Sequence, residues 1–231
     1  MDLLLDSFYA ALLLVVSLND EMMVIVGVTL KVSLSSTVIA ALLGVPSGFI
    51  IAFADFPGKR MVITILNTLL ALPTVIIGLF VYALISRRGL LGIFDLLYTQ
   101  RAMIIGQVIL VIPLVTALTL AAISRIDQRY RKTALTLGAG RVQTAWVVLR
   151  EARFGIMAAV IAAFGRVISE VGISMMLGGN ARGFTRTITT AMALEYDKGY
   201  FALAVALGMV LLALSFGMNL LFHFFQGRSR V

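Results

Sequence analysis

The sequence predicts an all-α integral membrane protein. Its bundle has five transmembrane helices (six is the alternative), with an interfacial helix at the N-terminus and short helices on the cytoplasmic side. Three observations carry that expectation. Of 231 residues, 61% are hydrophobic and 13% are charged, against roughly 25% charged in a soluble domain. Mean hydropathy is +1.04, and apolar runs recur at the length of about 20 residues that a spanning helix needs. No hydrophilic stretch is long enough to bury a core of its own. The chain therefore reads as one membrane domain, residues 22–231, preceded by an N-terminal helix over 1–21.

That N-terminal helix contains the run "LLLDSFYAALLLVVSL" (3–18), which is short and interrupted by Asp6. A secretory signal begins basic, whereas this segment carries Asp2, Asp6, Asp20 and Glu21 and no Lys or Arg. It is expected to lie along the outer interface or on the bundle. If it spans instead, the crossings become six. The five spans follow at about Met22–Phe53, Met61–Ile85, Ala102–Ile123, Phe154–Leu177 and Phe201–Phe225. Polar links separate them at 55–60, 86–101, 124–153 and 178–199.

Basic residues orient the bundle. One side collects Lys59, Arg60, Arg125, Arg129, Arg131, Lys132, Arg141, Arg150, Arg153, Arg228 and Arg230; the other has Arg87, Arg88, Arg101, Arg182, Arg186 and Lys198. The richer side is expected in the cytoplasm. That places the 124–153 link and the C-terminus inside and the N-terminus outside, in a multi-pass protein of the cell (inner) membrane. The net charge of +8 is then a matter of topology, and no nucleic-acid partner is expected.

Enzymatic readings fail on inventory. There is no cysteine and a single histidine, His223, among Phe222, Phe224 and Phe225, so no metal site is expected. No G-x-x-x-x-G-K-[ST] loop is present for ATP and no H-E-x-x-H pair for zinc. Ser169 and Ser174 have no base visible in the sequence except Glu170. Any energy source must be another polypeptide, and no cofactor is expected in this chain.

The link "KTALTLGAGRVQTAW" (132–146) reads as a short helix, a Gly138-Ala139-Gly140 turn and a second helix. Val142, Ala145, Trp146 and Leu149 recur at helical spacing there. It is either a plain basic loop or a helical plug pushed into a partner's groove, with apolar anchors and a basic rim of Arg131, Lys132 and Arg141. The stretch "KTALTLGAGRVQTAWVVLREARFGI" resembles the EAA loop of ABC-importer permeases, a Glu-Ala-Ala with a glycine six residues after the Glu. Gly138 matches that glycine and Ala134 the second alanine, while Lys132 and Thr133 replace the Glu and the first alanine. The resemblance implies coupling helices that dock on an ATP-hydrolysing subunit. The residues implied are Lys132, Thr133, Ala134, Gly138, Ala139, Gly140 and Arg141.

A second segment, "GRVISEVGISMMLGGNARGFTRTITTAMALEYDKG" (165–199), resembles permeases for molybdate, sulfate and tungstate, which share a Glu-x-Gly, a Gly-Asn and a Gly-x-Thr before the last span. The matches are Glu170, Gly172, Gly179, Asn180, Gly183, Thr185 and Thr187; with "LPTVIIGLFVYALIS" (72–86) they are most similar to the tungstate type. This resemblance implies a homodimer, two copies of a separate ATPase holding ATP and magnesium, and an external (periplasmic or lipid-anchored) solute-binding protein.

A tetrahedral dianion loses its hydration at prohibitive cost in hydrocarbon. It therefore needs a polar path that binds weakly enough to release. Ser169, Glu170, Ser174, Asn180, Thr185 and Thr187 are the candidate path or gate residues. Arg182 and Arg186 are candidates for steering the anion or docking the binding protein; solvated loop charges are the plain alternative. Arg166 and Glu170, four apart in the fourth span, serve either transport or mutual neutralisation. Lys31 reads as a snorkelling side chain. The rival function is a passive homodimeric channel for small anions, which would not need a docking segment.

Overall fold

A computed structural model describes residues 20–227 together with Phe8, Tyr9 and Leu12, with side chains through Leu221. The expected interfacial helix of residues 1–21 lies outside the described residues, apart from those three and Asp20–Glu21. Arg228, Arg230 and the His223 side chain lie outside as well.

Among the described residues from Asp20 onward there are nine α-helices. They are α1 (Asp20–Phe53), α2 (Lys59–Leu70), α3 (Thr74–Ile85), α4 (Gln100–Ser124), α5 (Gln128–Thr136), α6 (Arg141–Ile168), α7 (Gly172–Gly178), α8 (Ile188–Asp197) and α9 (Phe201–Gly227). A single 3-10 turn, Gly92–Phe94, lies between α3 and α4, and no strand occurs among the described residues. Three helices are long and apolar enough to cross a bilayer; the bent pairs α2–α3 and α6–α7 make five if each counts as one span. Outward-facing Leu34, Val38, Leu42, Phe80, Leu212 and Phe216 give these helices the apolar exterior of a lipid-solvated protein.

Three expectations are corrected here. The second span is two helices, because Pro73 disfavours helical backbone at Leu72 and starts α3 as its N-cap. The fourth span runs unbroken only to Ile168 and begins at Arg141, so the second short helix of the 132–146 stretch is the opening of α6, not a separate element. The 178–199 link is not a plain polar loop: it contains α8, whose Ile188 and Ala191 are buried with Ile25 and Leu207.

The described chain forms two compact units. The first comprises Met1–Ser36, Pro73–Gln107 and Phe164–Val231, and the second Thr37–Leu72 and Val108–Ala163. In the first unit α8 packs on α9 and α7 on α3, while Val28 and Val32 of α1 meet Met103 of α4. In the second unit Ile123, Val148 and Ala152 form a core with Phe49 and Phe53. There, small residues let α1 approach α4: a Cβ on Gly44 would lie 2.8 Å from the Val115 side chain, and one on Gly48 2.6 Å from the Thr116 carbonyl oxygen. The "GVPSG" spacing (44–48) is the small-xxx-small device of membrane helix pairs.

Candidate functional site

The candidate residues fall into two groups. The first is the turn between α5 and α6. Asp127 caps α5 by accepting the Arg129 amide at 2.9 Å. At the other end Gly138, at φ +83°, takes the left-handed position. Its N–H bonds to the Leu135 carbonyl and the Ala139 N–H to the Ala134 carbonyl, both at 3.0 Å. These are the paired 5→2 and 6→1 bonds of a Schellman closure. Gly140 then caps α6, its N–H held at 2.9 Å by the Gln143 side chain, which reaches back one turn. The turn is thus satisfied from both sides and stiff, which gives Gly138 a physical reason for being glycine.

Around this turn the large apolar side chains point outward. Leu137 is 82% exposed, Val142 84% and Trp146 65%. Arg131, Lys132, Arg141 and Arg150 are also exposed, and the Arg131 guanidinium sits 6.0 Å above the Phe53 ring. An open groove of about 530 Å³ lies beside the turn, lined by Asp127, Arg129, Tyr130, Thr133, Ala134, Leu137 and Val147. The Glu151 carboxylate beside Tyr130 holds that phenol above its ordinary range. Of the predicted docking residues, Ala134 is buried, while Leu137, outside that set, is largely exposed.

The second group surrounds the break between α6 and α7. Glu170 sits in the break, 3% exposed, and pairs with Arg166 at 3.0 Å. Its other carboxylate oxygen accepts the Ile173 amide at 3.2 Å. Its main-chain carbonyl, freed from the helix ladder, accepts the Thr189 hydroxyl at 2.9 Å. The break is therefore closed by side chains, as non-helical backbone at membrane depth requires. Ser169 is exposed and its hydroxyl donates to the Gly165 carbonyl at 2.9 Å.

The remaining candidates are held by separate sets of hydrogen bonds and ion pairs. Thr187 caps α8, and Thr190 Oγ1 accepts the Thr187 amide at 2.9 Å and donates to Asn180 at 2.9 Å, completing a capping box. Asn180, at φ +51°, turns the chain after Gly179, whose face the Tyr98 ring covers. Thr185 donates to the Gly178 carbonyl at 2.6 Å and accepts the Ala181 amide at 3.0 Å. Ser174 is fully buried and accepts from Gln107 at 3.2 Å; Gln107 in turn accepts from Ser36 at 2.9 Å. Arg182 and Arg186 both pair with Glu21, at 2.6 and 3.4 Å, beside a cavity of about 490 Å³ that Lys198 and Glu195 also line. No group of three or more metal-ligating side chains occurs among the described residues.

Thr190→Val tests the hub. Thr190 is fully buried, and valine would strand the Thr187 amide, at a cost of roughly 1–3 kcal/mol. A lowered thermal transition in detergent is expected, with Thr190→Ser close to the parent. The reading from sequence alone passed over Gln107, Ser36 and Thr29, whose hydroxyl accepts the Ile188 amide at 2.9 Å. The available signal was a lone amide in the apolar run "IIGQVILVI" (104–112).

A family model for the binding-protein-dependent transport system inner membrane component matches residues 44–231. The chain belongs to that family. As a binding-protein-dependent transport component it is similar, at 38% identity over 226 residues, to the tungstate uptake system permease protein TupB of Peptoclostridium acidaminophilum, covering 98% of this chain and 99% of that one. It is 40% identical to the protein of the same name from Campylobacter jejuni, covering 96% and 93%. A probable anion ABC transporter permease of Haloferax volcanii is 41% identical over 210 residues, covering 89% and 90%.

Among solved structures, a bacterial ABC transporter that imports the acidic polysaccharide alginate matches with a TM-score of 0.74 at 18% identity, covering 91% of this chain and 80% of that one. The MetNI methionine ABC transporter matches at 0.67 and 20%, covering 91% and 97%. At such identities these structures show the fold. It is that of an ABC permease, and this transport component is a multi-pass membrane protein.

Proposed function

We propose that the chain is the permease subunit of an ATP-driven importer of a tetrahedral oxyanion, tungstate first, with molybdate or sulfate next. It works as a homodimer with two copies of a separate ATPase, which holds ATP and magnesium, and with an external solute-binding protein. The N-terminus is outside and the C-terminus cytoplasmic. The observation that carries this reading is the closed turn at Gly138. A stiff projection that leaves Leu137, Val142 and Trp146 in water inside a basic rim calls for a partner's groove. α6 continues from that projection to Ile168 without a break, so a push at the docked end arrives at Glu170. The relatives' names, tungstate uptake and anion permeases, support the cargo.

In this reading Ser169, Glu170, Ser174, Asn180, Thr185 and Thr187 form or frame the path and gate. Ser169 and Glu170 stand at the break, and the others hold the loop that follows it. Arg182 and Arg186, tied to Glu21, face the binding protein or steer its cargo.

The test is reconstitution. The purified homomer alone is expected to be inert in liposomes, and tungstate flux should require the ATPase, ATP and the binding protein together. Robust flux from the homomer by itself would instead establish a passive channel. Asn180→Ala and Thr185→Ala are each expected to slow uptake about tenfold, the scale of one lost buried hydrogen bond, while the ATPase still copurifies. Parental uptake kinetics in both variants would take these residues off the path.

A further inference from the structure

Between Phe154 and Gly178 the sequence has only two charged residues, Arg166 and Glu170, and the structure treats them unequally. Glu170 is 3% exposed and is held from behind by the Ile173 amide. Arg166 is 42% exposed and commits one nitrogen to Glu170, out of a guanidinium with five N–H donors. The pair is thus a dipole with its positive end outward. It lies ~18 Å along the axis from Phe154 at 1.5 Å per residue, well inside a bilayer.

The surface beside Arg166 is made of small residues. Gly165 has no atom within 4 Å of a Cβ position, and Ser169 is exposed. The exposed positions of α6 just before them are Ala158 and Ala162, whereas α1 and α9 turn Leu34, Val38, Leu42, Leu212 and Phe216 outward. A charge left on a spanning helix faces a polar cavity or a partner rather than hydrocarbon. Were this face packed on its own copy about a two-fold axis, Arg166 would meet Arg166.

We propose that Arg166 is the residue of α6 that touches the translocating oxyanion, an assignment that rests on the importer reading above. A solitary arginine would hold a dianion too firmly for release. Here the cargo competes with Glu170 for the same guanidinium. The exchange would leave the buried Glu170 carboxylate with the Ile173 amide alone, a costly state that draws the guanidinium back and releases the cargo. Glu170 is accordingly the residue that keeps the contact weak.

The absence of cysteine makes the test direct, since Gly165→Cys supplies the single thiol of this chain. In proteoliposomes the thiol is expected to react with water-soluble methanethiosulfonates, the anionic reagent about tenfold faster than the cationic one through the local field, and tungstate should slow it. Adding the charge-neutral pair Arg166→Gln and Glu170→Gln should abolish both the charge preference and the protection. Arg166→Lys should retain the preference while slowing uptake. A thiol that reacts only with lipid-soluble maleimides, or without charge preference or protection, while the parent still imports tungstate, would overturn the Arg166 assignment alone. Absence of tungstate import by the complete parent system would instead remove the reading beneath it.

Discussion

Gly48→Val is expected to destabilise the permease severely and to cut the yield of folded protein. A Cβ at this position would lie 2.6 Å from the Thr116 carbonyl oxygen and 2.8 Å from Thr119 Cβ. The first of these is backbone and cannot rotate away. Overpacking costs typically about 1–3 kcal/mol and occasionally more, and a clash with backbone belongs at the upper end, a large share of a typical folding free energy of about 5–15 kcal/mol. Fluorescence-detected size exclusion of the detergent extract should show aggregate at the expense of the symmetric peak. Gly27→Val on the same helix is the control, because nothing lies within 4 Å of a Cβ there. Its profile should match the parent. Equal behaviour of the two variants would mean that α1 and α4 do not meet through Gly48.

Gly138→Val is expected to leave an inserted, monodisperse protein that imports at least about tenfold more slowly while the partner ATPase keeps hydrolysing. No neighbouring atom lies within 4 Å of a Cβ at Gly138, so sterics with the rest of the fold contribute nothing. The penalty is that of an L-residue held at φ +83°, about 1–2 kcal/mol, and larger for a β-branched side chain. The chain relieves it by opening the Schellman bonds, which frees α5 from α6. Gly138→Asn should recover much of the uptake, because asparagine tolerates left-handed backbone. Uptake and ATPase rates measured on the same vesicles separate coupling from assembly, and normal uptake by Gly138→Val would end the coupling assignment.

The membrane-spanning character was legible because composition alone forces it, and the turn at Gly138 because a Gly-Ala-Gly between helix formers has few other uses. The Arg166–Glu170 pair followed from i,i+4 spacing. What escaped depended on tertiary contact. α8 hides in a polar link because its capping box uses Thr190 where the familiar pattern has Glu or Gln. Ile188 and Ala191 become a core only against Ile25 and Leu207. The break after Ile168 is invisible to periodicity, since Glu170 replaces the missing helical bonds with its own groups. Gln107 drew no notice because an isolated amide in an apolar run has no partner until Ser36 and Ser174 come to either side of it.

Glu170 occupies three bonds at once, to the guanidinium before it, the amide after it and the hydroxyl of Thr189. A joint pinned this way has little play. Rotation arriving through the last turn of α6 must carry the start of α7 and the start of α8 along with it, so the gate would swing as one piece and not fray open residue by residue. The Ile173 amide should then exchange its hydrogen slowly whichever way the transporter faces.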